Sequence, residues 1–85
     1  MTSSAQFSVA STAIEIVSVY GENRLVVIHS GGHPAYLGNS TVTSSTGLKV
    51  EKDTDEQIWV PKGSSIYAIS DNVNISTVSV LYLRP

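Results

Sequence analysis

No cysteine occurs in this chain, so neither a disulfide framework nor a thiolate zinc site can brace the fold. Charge is also scarce: five Lys and Arg against seven Asp and Glu leave a net −2. The basic residues are scattered, so no cationic stripe exists to follow a phosphate backbone, and nucleic acid is not an expected partner. No segment reaches the 18 or more apolar residues of a membrane-spanning helix. The opening MTSSAQFSVASTA lacks the basic stretch followed by an apolar run that marks an export signal. These absences point to a soluble protein made in a cytoplasm, with no membrane partner.

What the chain does have is Val, Ile, Thr and Tyr, in short apolar segments broken by turn residues every eight to twelve positions or so, the pattern of an all-β protein. The segments Gln6 to Val9, Ala13 to Tyr20, Arg24 to Ser30, Ala35 to Leu37, Leu48 to Glu51, Gln57 to Val60, Ser65 to Ser70 and Ser76 to Leu83 read as strands. The continuous Leu25-Val26-Val27-Ile28 predicts a central strand buried on both faces. Gly31-Gly32-His33-Pro34 reads as a hairpin, Lys52 to Glu56 as a charged turn, and Asp71-Asn72-Val73-Asn74 as the last turn. The expected fold is a compact β-sandwich or small β-barrel of about eight short, mainly antiparallel strands, connected as a meander. A polar N-terminal arm, residues 1–11, precedes a single domain, residues 12–85.

A domain of 85 residues buries only about 60–65% of the surface its unfolded chain exposes. One core is all it can build, yet two strands are apolar on both sides. In the second strand Val17 and Val19 lie opposite Ile14 and Ile16, and in the last Leu81 and Leu83 lie opposite Val78, Val80 and Tyr82. The surplus face predicts a subunit contact through Val17, Val19, Leu81 and Leu83. In the arm, Phe7 and Val9 are the candidate anchors for adding a strand to a neighbouring subunit or other partner.

Catalytic and metal-binding patterns are weak. His29 and His33 flank a turn with no third ligand nearby, and read as exposed turn histidines. Glu51, Asp53, Asp55 and Glu56 lack the mid-loop glycine of a calcium loop and read as a solvated charged turn. There is no Gly-x-Ser-x-Gly elbow, no separated carboxylate pair around a sugar-sized cleft, and no glycine-rich loop opening a helix. An enzyme is not expected, nor a cofactor or resident metal. Trp59, Tyr36, Tyr67 and Tyr82 leave a carbohydrate-binding β-module as the competing class. The stretch AYLGNSTVTSSTG, Ala35 to Gly47, reads as a self-satisfied turn that crosses a sheet edge rather than a ligand lip.

The ordered series Arg24-Leu25-Val26-Val27-Ile28, Ala35-Tyr36-Leu37-Gly38, Val42-Thr43, Gly47-Leu48, Tyr67-Ala68-Ile69 and Val78-Ser79-Val80-Leu81 resembles the small all-β structural proteins of tailed bacteriophages. The likeness runs from about Ala13 to Leu83; it departs at His29-Ser30, where such proteins often carry Asn, and in the acidity of Glu51 to Glu56. The resemblance implies a virion component, foremost a capsid decoration protein on the outside of the shell, with a tail or head-fibre component as the alternative. It implies the major capsid protein as partner and a homo-oligomer, expected to be a trimer, whose closed symmetry would match a site on the shell.

Overall fold

Alternation of β-branched and polar side chains sets eight strands in the computed structural model, which describes residues 3–70 and 75–84. They are β1 (Ser3–Val9), β2 (Ile14–Val17), β3 (Arg24–Gly31), β4 (Ala35–Gly38), β5 (Leu48–Val50), β6 (Thr54–Val60), β7 (Ile66–Ile69) and β8 (Ser76–Arg84). The protein is all-β, with two four-stranded antiparallel sheets. Sheet A runs β1-β8-β3-β6 and sheet B runs β2-β7-β4-β5. The turn expected at 71–74 lies outside the described residues.

The connectivity corrects the expected meander. First strand pairs with last, second with second-to-last, third with sixth, and fourth with fifth. The chain is thus one long antiparallel ribbon, doubled back at residues 39–47 and wrapped so that successive pairs fall in alternate sheets. This is the jelly-roll arrangement. Among the described residues only β4 and β5 form a hairpin of consecutive strands. Gly31 to Pro34, expected to be a hairpin, instead carries the chain from sheet A to sheet B. Local turn chemistry marks where β3 ends; which sheet receives the next strand is a tertiary choice.

β3 is central as expected, hydrogen-bonded to both β8 and β6. Its inward row is Val26, Ile28 and Ser30, all buried, and its outward row of Leu25, Val27 and His29 is half-buried. Among the described residues the core between the sheets has twelve buried members, seven of them valines. Valine's restricted χ1 suits a strand, and its small volume keeps the layers thin: the shortest molecular dimension is 16 Å.

Three local departures have physical causes. In β2 a bulge between Glu15 and Val17 breaks the alternation, so Ile16 and Val17 are both buried; an extra residue in one strand rotates the phase of those beyond it. β6 begins at Thr54 rather than Gln57, because Thr54, Asp55 and Glu56 pair with Ser30, His29 and Ile28 of the long β3. The turn shrinks accordingly, with Asp53 at φ 59° and its amide donating to Ser30 O at 2.5 Å. Finally, Ser3–Val9 is a full strand of sheet A, paired with β8 throughout, so this part of the expected arm belongs to the domain.

A buried hydroxyl cluster ties the sheet crossing together. Ser76 Oγ donates to the His33 carbonyl at 2.7 Å and lies 2.8 Å from Ser30 Oγ, which also reaches that carbonyl. The carbonyl precedes Pro34 and has left sheet A, so these serines supply the partners that a ladder would otherwise give it.

Candidate interaction surface

The register places the outward side chains of sheet A in rows. Ser4, Leu81, Val27 and Gln57 form one row across β1, β8, β3 and β6. Gln6, Ser79, His29 and Asp55 form the next. Beyond the first row, Leu25 sits opposite Trp59, and β8 carries one extra residue against β3 there, which keeps Leu83 on the same side. Leu25, Val27, Trp59, Leu81 and Leu83 therefore form a contiguous apolar patch on the solvent side of sheet A. Trp59 is 60% and Leu81 38% exposed. Exposed apolar clusters of this kind mark contact sites.

The second row is polar and partly self-engaged. His29 Nδ1 donates to Asp55 Oδ1 at 2.6 Å, the carboxylate being able only to accept. Gln6 Nε2 donates to Ser79 Oγ at 3.3 Å. His29 thus lies in the strand expected over Arg24 to Ser30 and has a cross-strand partner, where a free turn histidine was also expected. Only the pairing of β3 with β6 creates that contact. Among the described residues no three His, Asp or Glu side chains converge as a metal site would require.

At one end of the patch the loop from β2 to β3 is pinned by Arg24. Its guanidinium stacks between Tyr20 and Tyr82, 4.4 Å and 4.8 Å from the ring centres, and Nη2 donates to Ser18 O at 2.5 Å. Such cation–π contacts contribute about 0.5–2 kcal/mol. A hollow of about 200 Å³ beside them is lined by Asn23, Trp59, Val60 and Pro61. The Asn23 amide oxygen is already engaged by the Lys62 amide at 2.8 Å.

The turn at 39–47 also borders a hollow, of about 340 Å³, lined by Gly38, Asn39, Thr41, Val42 and Thr46. Its polar groups serve the turn itself. Asn39 Oδ1 accepts from the amide and hydroxyl of Thr41, and Thr43 Oγ1 lies 3.0 Å from both Ser45 Oγ and Thr46 Oγ1. Val42 is buried against Gly38 and Gly47, where a Cβ would approach its side chain to 2.8 Å. The glycines are there for room: this is a plugged turn at the tip of the ribbon.

Of the four residues expected at a subunit contact, Leu81 and the half-buried Leu83 lie on the sheet A patch. Val19, 61% exposed, lies in the loop after β2 instead. Val17 is corrected: it is 0% exposed within the single chain, because the bulge turns it into the core. Val9 is likewise a core residue and no free anchor, whereas Phe7 packs half-buried against that core and keeps part of its surface uncovered. Val27 was missed as the cross-strand partner of Leu81 and Trp59 as a member of the same patch; the uninterrupted run Leu25 to Ile28 was the available signal for Val27. Comparison with known protein families, with curated proteins and with solved structures finds no match to this chain.

Proposed function

We propose that the chain is a structural protein of a bacteriophage particle, a decoration protein that associates with itself and docks on the outer surface of the capsid shell. The observation that carries this reading is the apolar patch of Leu25, Val27, Trp59, Leu81 and Leu83 on a sheet whose other face already packs the core. A chain this short gains nothing for its own fold by displaying a tryptophan and a leucine in water. It gains a docking face. The resemblance of the ordered strand segments to phage structural proteins supplies the partner, the major capsid protein. Jelly rolls serve in viral capsids and in lectins alike, so topology by itself does not choose between them.

The test uses assembled shells. Wild-type protein is expected to co-sediment with them and not with unassembled capsid protein, and Trp59→Ser combined with Leu81→Ser is expected to lower occupancy at least ~10-fold, since buried aromatic and aliphatic anchors carry most interface energy. Undiminished occupancy of the double variant overturns the docking face.

A second reading, a carbohydrate-binding module, is favoured by the exposure of Trp59 beside the hollow it shares with Asn23. A glycan-array signal from the free protein, lost in Trp59→Ser, would select it.

A further inference from the structure

The four sheet edges are treated very differently. β5 is three residues long and carries Lys49. β2 is four residues long, carries Glu15 and is bulged. β6 carries Asp55 and Glu56 and springs from the Asp53 turn. Charge, bulges and shortness are the devices that stop an edge from pairing with another chain. β1 has none of them: SSAQFSV is seven residues long, with no charge and no proline, and in unbroken register with β8.

We infer that β1 is a pairing edge, and that its occupant is β1 of a second copy, joined antiparallel about Gln6. The inference rests on the reading of this chain as a self-associating module and names how copies join. Centring on Gln6 is the register that engages all seven residues. It sets Gln6 opposite Gln6 of the second copy, Ser4 opposite its Ser8, and Ala5 opposite its Phe7. No like charges meet. The inward row places a small side chain against a large one, and both Ala5 and Phe7 are only half-buried in the single chain, so each has surface left to cover. By contrast, β6 paired with its own copy about Gln57 would set Asp55 opposite Trp59 and Glu56 opposite Ile58, taking carboxylates out of water against apolar side chains.

The two-fold axis passes midway between the two Gln6 residues, perpendicular to the sheet, because antiparallel self-pairing in one sheet requires it. Sheet A then continues across the joint as eight strands. The apolar patches of both copies face the same way, which gives a plate with two docking faces on one side. Two weak attachments to a shell so joined reinforce each other through effective concentration.

Because the chain has no cysteine, Gln6→Cys reports the pairing directly: cross-strand Cβ atoms lie about 4.5–5.5 Å apart, close to disulfide reach. Under mild oxidation Gln6→Cys is expected to form covalent dimers at least ~10-fold faster than the edge controls Lys49→Cys and Glu15→Cys, since its thiols are held together before reaction. Native mass spectrometry is expected to give two copies for wild type and one for Gln6→Lys, which sets two ammonium groups face to face without touching the core. Cross-linking no faster than the controls, or a wild type of one or three copies, overturns the pairing. A Gln6→Lys protein that stays paired does the same. A pair that forms but fails to bind shells leaves β1 pairing standing and overturns the decoration reading alone.

Discussion

Sheet A and sheet B share one core but differ in what they offer to solvent. The strands of sheet A run seven to nine residues and those of sheet B three or four. Outside sheet A lies the patch centred on Trp59 and Leu81. Outside sheet B the register sets Tyr36 beside Ile69 and Lys49, and Tyr67 beside Glu15 and Gly38. The apolar residues there, Tyr36, Tyr67 and Ile69, are all half-buried, while the exposed ones, Glu15 and Lys49, are charged. The short sheet covers its outer face and leaves one large apolar side chain uncovered, Leu48, 56% exposed opposite Leu37 on the edge strand β5. The long sheet instead groups its apolar residues on the outer face, which is why the proposed docking surface lies there.

Each sheet contributes six of the twelve core residues among the described residues, so a difference between the sheets is one of shelter rather than of number, and the better-sheltered position should cost more to truncate. Ile28 on β3 is fully buried with a hydrogen-bonded strand on each side; Leu37 on β4 is its counterpart near the ribbon tip. Ile28→Ala is expected to lose about 3–5 kcal/mol and Leu37→Ala about 2–3 kcal/mol, both within the range for large-to-small core changes. For a domain of this length the total stability is about 4–13 kcal/mol, so the first variant unfolds near ambient temperature or well below the wild type. Equal losses in urea denaturation would break the division of labour between the sheets.

The next contrast is between two glycines. At Gly47 an added Cβ meets Tyr36 Cβ at 2.7 Å, Val42 Cγ2 at 2.8 Å and Leu37 O at 3.1 Å. The first and last of these are fixed by the backbone of β4 and cannot swing away. Gly47→Ala is expected to cost about 1–3 kcal/mol, the range for overpacking, which lowers the melting temperature by roughly 4–8 °C per kcal/mol. At Gly21, in the loop leading into sheet A, nothing lies within 4 Å and φ is unremarkable. Gly21→Ala is expected to leave the melting temperature unchanged or raise it slightly, since alanine narrows the unfolded ensemble. A neutral Gly47→Ala would show that the turn at 39–47 is looser than its plugged geometry requires.

Strand positions were legible in the sequence because period-two alternation and turn residues act locally; Ser65 to Ser70 and Ser76 to Leu83 match β7 and β8 almost to the residue. So was the character of Ala35 to Gly47, whose Asn and Thr hydrogen bonds span two or three positions. Strand partners were not legible. Pairing first strand with last depends on how the whole ribbon wraps, and no short window carries that information. Val19 was misplaced because β2 ends at Val17; the other misplacements of site residues follow from strand pairing. Val17 changed sides through a bulge that exists only against β7, Phe7 and Val9 were claimed by β8, and His29 met Asp55 only because β6 lies beside β3. The apolar patch was half legible: Leu81 and Leu83 announced a second face, while Trp59 needed the register to join them.

The finest test of the two outer faces is a matched pair of serine substitutions. Leu81 and Ile69 are both outward aliphatic residues on internal strands of their sheets; Leu81 lies between Ser4 and Val27, and Ile69 lies beside Tyr36. Leu81→Ser removes a side chain already in contact with water, so its expected cost to the isolated chain is less than about 1 kcal/mol. Ile69→Ser removes one more fully sheltered, beside Tyr36, at an expected cost of about 1–2 kcal/mol. Association should rank them in the opposite order: Leu81→Ser weakens shell binding while Ile69→Ser leaves it intact once both proteins are held below their unfolding transitions. Stability and binding are then separable on one scaffold, because a residue that the fold has left uncovered contributes to the fold little and to a partner much. Should Ile69→Ser impair binding as strongly as Leu81→Ser, the docking surface would extend over both sheets and the asymmetry between them would be one of strand length alone.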